Sequence, residues 1–130
     1  MEKLDEIEAE LAALANAIEI LDKDHKDGTV SDVFYFKRRV SLLREHELTL
    51  NKLKKILEEN DAPEISSILE KVGSGAKDNE VEAELEKAKE AGEAKEWGQV
   101  FKEAVTEKKG SIVRVVLGAA LRVAKFLLLA

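Results

Sequence analysis

Cysteine is absent from this 130-residue chain, proline occurs once, and aromatic residues make up only 5% of it. Each scarcity excludes something. Without thiols there is no disulfide framework and no thiolate zinc site. With one proline and seven glycines, few positions force the backbone out of a helix. Few aromatics and a formal net charge of −6 leave little for base stacking or general polyanion binding, so nucleic acid is disfavoured as a partner. No segment shows convincing strand alternation. The first residues are acidic and polar, so no signal or transit peptide is expected and the expected location is cytoplasmic.

Glu, Lys, Leu and Ala fill the chain instead, which is the composition of helices. The length is enough to bury a core without disulfides or metal. Leu4, Ile7, Leu11, Leu14, Ile18 and Leu21 follow a 3-4-3-4-3 spacing, an a/d seam that predicts a first helix from about Glu2 to Lys23. Gly28 suits a turn with positive φ, Ser31 an N-cap, and Val30 with Tyr35 a hydrophobic staple. A second helix to about Glu59 is expected to turn Tyr35, Phe36, Val40, Leu43, Leu50, Leu53 and Leu57 inward, with Leu42 and Ile56 widening the stripe. The short connection makes the pair an antiparallel hairpin. Asp61 as a cap and Pro63 in a first turn predict a short third helix ending at Gly73-Ser74-Gly75, and residues 73–77 form the best flexible boundary. A fourth helix capped by Asp78 or Asn79 is interrupted near Gly92. Trp97, Val100, Phe101, Ala104 and Val105 resume an apolar face that Lys108-Lys109-Gly110 closes.

The last twenty residues differ from the rest. Residues 1–60 carry ten cations and fourteen acids, residues 61–109 eight and thirteen, and residues 110–130 three cations and no acid. At about 100° per residue, Arg114, Arg122 and Lys125 gather with Ser111 and Gly118 in one narrow wedge, and the remaining surface is apolar. A helix of this length reaches roughly 30 Å, enough to cross a bilayer core, but Arg122 would sit near its middle at about 2.5–3.5 kcal/mol. A helix that is apolar nearly all round is what the centre of a bundle requires, and its cations could then snorkel to neighbouring acids.

The segments tested for chemistry yield little. Asp22 to Ser31 has the residue order of a calcium loop, but an extra residue separates Asp24 from Asp27 and Phe34 stands where the bidentate glutamate belongs. His25 and His46 lie at unequal depth along the hairpin and are not placed to share a metal. His46 is expected at the helix surface or boundary. Glu47 falls at an inward position, where it would set register or pair with Lys54 or Lys23. No phosphate loop or nucleophile elbow is present. Helix two carries a basic stripe of Lys37, Arg44, Asn51 and Lys55.

These observations predict an all-α protein. A long, coiled-coil-like antiparallel hairpin over residues 1–60 meets a C-terminal helical part over residues 61–130, which ends in the hydrophobic helix. The expected function is a non-enzymatic protein-interaction or assembly module without a cofactor. It would form a homo-oligomer, most simply a two-fold dimer, or bind another protein. Its candidate surfaces are Arg114, Gly118, Arg122 and Lys125 on the last helix and Lys37, Arg44 and Lys55 on the second. The alternative is a peripheral membrane protein that uses the cationic last helix.

Overall fold

The computed structural model describes residues 2–107 and 110–129, without the side chain of Glu2. The closing role expected of Lys108 and Lys109 lies outside the described residues, as does the side chain of Glu2, whose spacing with Glu6 and Glu10 predicts a solvated face. Six helices and no strand occur among those described: α1 (Glu2–Lys26), α2 (Asp32–Glu59), α3 (Pro63–Gly73), α4 (Asp78–Gly92), α5 (Gly98–Thr106) and α6 (Ile112–Leu129). The protein is an all-α helical bundle, as its composition and periodicity require.

α1 and α2 run antiparallel. Thr49 Oγ1 donates to Glu10 over 3.1 Å towards one end, and Tyr35 Oη donates to Asp22 over 2.7 Å towards the other. Gly28 takes φ 76° in the turn, where a Cβ would be strained. Ser31 caps α2 by accepting from the Phe34 N–H at 3.1 Å. His25 stacks on Tyr35 with ring centroids 3.9 Å apart and bonds Asp32 at 2.7 Å. Of the α1 seam, Leu4, Ile7, Leu11 and Leu21 are buried, and Leu14 and Ile18 are half-buried.

Pro63 opens α3, but Ala62 rather than Asp61 occupies the N-cap position. Asp61 adopts φ 63° instead, a left-handed conformation that aspartate tolerates better than most residues. Its carbonyl then accepts the Trp97 Nε1–H at 3.0 Å, and its carboxylate meets Lys95 at 3.0 Å. α4 begins after Lys77 with no side-chain cap, so Asp78 lies inside its first turn, where a negative charge still complements the helix dipole. The chain does leave the helix at Gly92. Trp97 folds back against that glycine and packs edge-on to Phe101 at 5.9 Å.

α6 touches each of the other five helices, and Val115, Val116, Leu117, Leu121 and Val123 are buried along it. Ala119, Ala120 and Ala124 are buried too, and their small side chains let neighbouring helices approach closely. One hydrophobic core draws residues from all six helices, from Leu4 to Ala124. Among the described residues no helix is long and apolar enough to cross a membrane.

α2 departs from expectation in two ways. Leu42, Leu50, Leu53, Ile56 and Leu57 are buried, but Phe36, Val40 and Leu43 are exposed. α3 covers α2 from Glu58, which accepts from Ser66 Oγ at 2.7 Å, to Leu50, against which Gly73 lies. The chain then turns away, and no described residue covers the next turns of the stripe. The second departure is one of phase. His46 is buried at 7% exposure and Glu47 is exposed. The face turned to α1 is set by Leu42, Thr49 and Leu53, and on a 3.6-residue period His46 belongs to that face.

Burial holds the His46 imidazole below its ordinary pKa. The unfolded chain therefore protonates first on acidification. The neutral ring has no pH-dependent effect above about pH 6.5, and stability falls as pH drops from there towards the lower folded value. Urea melts at pH 7.5 and 5.5 should show His46→Leu losing less stability over this interval than the parent. Equal losses in the two chains would show that His46 does not contribute.

Candidate functional site

The α6 cations stand at the edge of the bundle, each against a carboxylate. Arg114 binds Glu19 of α1, with Nε donating at 3.0 Å, and Lys125 binds Glu8 of α1 at 2.9 Å. Arg114 and Lys125 are eleven positions apart, as are Glu8 and Glu19. α6 therefore lies antiparallel to α1 in register over about three turns. Arg122 meets Glu107, just beyond α5, at 2.6 Å. All three pairs are open to solvent, the Lys125–Glu8 pair least so, and water screens them. They orient α6 more than they stabilise it.

Arg114, Gly118 and Arg122 do share one feature, an open cleft of about 490 Å³ between α5 and α6, lined also by Ala104, Glu107 and Ala119. Gly118 has open space where a Cβ would be. Lys125 does not line this cleft and points to the α1 side. Both guanidiniums at the cleft are already bound by carboxylates, which offsets their pull on an anion. Among the described residues no buried pair of titratable groups faces the cleft. Among the described residues no group of three or more His, Asp or Glu side chains is placed to hold a metal ion. At the hairpin tip, Asp22 is bonded to Tyr35 and Arg39, and Asp32 to His25.

The α2 residues form a second and separate surface. Lys37, Arg44 and Lys55 are exposed on the face of α2 turned away from α1, and none has an ion-pair partner among the described residues. Beside them runs the uncovered apolar stripe: Val33 is 66% exposed, Phe36 61% and Val40 57%, with Leu43 following at 39%. The 3-4-3 spacing of these four puts them on one face. Ile20, Phe34 and Leu48 add further exposed apolar area on the hairpin. Single exposed leucines are ordinary, but a contiguous apolar strip rimmed by charge is not.

The sequence pattern assigned Phe36, Val40 and Leu43 to the interior and passed over Val33. The one signal that separates them is length. α3 has eleven residues and reaches about 16 Å along an α2 of twenty-eight, roughly 42 Å long. No protein-family model, curated protein or solved structure matches the chain.

Proposed function

We propose that this protein is a non-enzymatic helical interaction and assembly module, and that its working surface is the distal half of the α1–α2 hairpin. The exposed stripe Val33–Phe36–Val40–Leu43 carries this reading. Four large apolar side chains exposed side by side form the apolar centre that a protein interface needs. The hairpin is held firmly enough to present it, through the His25–Tyr35 stack and the Asp22 contacts to Tyr35 and Arg39. The apolar residues alone do not distinguish a second copy from a different protein; the rim charges do.

The competing reading is a peripheral membrane protein using α6. The positions of Arg114, Arg122 and Lys125 weaken it, because their charges are met by Glu19, Glu107 and Glu8 rather than offered to headgroups. A photo-crosslinking residue at position 40 should give discrete protein adducts in the native cell, and the same residue at the exposed, polar position 102 should not. Equal adduct patterns at both positions would refute the assignment of the surface. Liposome co-sedimentation that is lost on replacing the α6 cations would favour the membrane reading.

A further inference from the structure

The charges around the stripe say what kind of partner fits it. Of the five arginines, Arg39, Arg114 and Arg122 hold carboxylates. Arg38 and Arg44 have no ion-pair partner among the described residues, and of the two only Arg44 lies beside the stripe. Lys37, Ser41, Arg44, Leu48, Asn51 and Lys55 follow one another at 4-3-4-3-4 spacing, so they form a single edge beside the apolar stripe. That edge contains three cations and no carboxylate; the nearby exposed acids lie outside it, Glu47 in the gap between Leu43 and Leu50 and Asp32 on the other side of the stripe. The uncovered stripe also continues the track that α3 occupies between Glu58 and Leu50.

We propose that distal α2 receives an amphipathic helix of another protein, apolar on one face and acidic along its rim, which lies on α2 beyond the end of α3. This rests on the interaction reading above and specifies the partner. The fold covers its own hairpin in the same way, with α6 lying on α1 and cation–carboxylate pairs along the edge. On distal α2 the receiving side supplies the cations, so the incoming helix supplies the carboxylates.

A second copy fits less well. In a two-fold antiparallel pairing of α2 with α2, equivalent edges meet, and Lys37 and Arg44 would face the same two cations. An anionic bilayer also fits less well, because Asp27 and Asp32, exposed at the hairpin tip, would approach its headgroups together with the stripe.

The test uses the full chain and two labelled synthetic peptides of about three heptads. Both share one Leu/Ala face, one with glutamate rims and the other with lysine rims. Fluorescence anisotropy should show the glutamate peptide binding about tenfold more tightly, with the preference shrinking at high salt. Lys37→Glu with Arg44→Glu should reverse the preference, and Val40→Asp should abolish binding of both peptides. These positions are exposed, so circular dichroism should be unchanged; Phe36→Ser replaces Val40→Asp if it is not.

Equal affinity for the two peptides, no binding of either, or indifference to the charge reversal overturns the acidic-helix proposal. Sedimentation equilibrium showing a dimer that Val40→Asp dissociates makes a second copy the occupant, which overturns this proposal and leaves the interaction reading standing. Binding to phosphatidylserine vesicles that Val40→Asp removes overturns both.

Discussion

A chain ending at Gly110 is expected to lose its cooperative unfolding transition altogether. Truncation there removes α6 and with it the buried Val115, Val116, Leu117, Leu121 and Val123. Each such side chain is worth about 1.5–3 kcal/mol when fully buried, so the five together approach or exceed the roughly 5–15 kcal/mol by which a domain is stable. The loss is not local. α6 touches all five other helices, so its removal opens one face of each. The truncated chain should keep much of its far-ultraviolet helical signal, because α1 and α2 are long and rich in helix formers, yet lose fixed tertiary packing. Trp97, the only tryptophan and 1% exposed, reports this directly, since its emission should shift to the red. A truncated chain that melts sharply at the parent temperature would show that α6 is an appendage and not the centre of the bundle.

Trp97→Ala should destabilise the protein by about 3–5 kcal/mol, near the upper limit for a single substitution. Three interactions are lost at once: the buried indole volume, the edge-on contact with Phe101, and the hydrogen bond from Nε1 to the Asp61 carbonyl. That bond ties the α2–α3 corner to the α4–α5 corner, so the carbonyl of a residue already in a left-handed conformation would lose its partner. Gly98→Ala reaches a similar loss by another route. A Cβ at position 98 would fall inside the contact distance of the Gly92 carbonyl oxygen. Backbone cannot yield there without reopening the corner. Gly92→Ala meets chiefly the Trp97 ring, at 2.7 Å from Cζ3, and a ring can tilt; its one backbone neighbour, the Gly98 Cα, is at 3.3 Å, far looser than the Gly92 oxygen is to a Cβ at position 98. Gly98→Ala should therefore be the worse of the two glycine substitutions, as read from urea midpoints by circular dichroism. If Gly92→Ala were the worse, the Gly92–Gly98 backbone approach would not be what constrains the corner.

The helices themselves were legible from periodicity and punctuation. Leu4, Ile7, Leu11 and Leu21 marked the buried side of α1, Ser31 capped α2 as its position suggested, Pro63 opened α3 and Gly92 ended α4. The wedge on α6 was legible too, because three cations on one side of an apolar helix have few places to go. What periodicity could not settle was which of two overlapping stripes on α2 met which neighbour. Leu42, His46, Thr49 and Leu53 recur at helical spacing, and so do Val40, Leu43, Glu47 and Leu50. The first set packs inward, and the second is covered only where α3 reaches it. Asp61 does not act as a cap for a similar reason. Its role depends on Trp97, thirty-six positions away, and nothing local announces that contact.

Residue pattern alone was sufficient for the all-helical class, the hairpin, the breaks between helices and the unusual character of residues 111–130, because each follows from contacts within a few residues along the chain. The tertiary structure decided that α6 is central and its cations are paired, that His46 is buried and Glu47 is not, and that the apolar stripe on distal α2 is left uncovered. Those outcomes depend on where α3 stops and where α6 lies, and both are set by packing between segments far apart in sequence. An amphipathic face shows that a helix needs cover; only the arrangement of the other helices shows whether the chain itself supplies it.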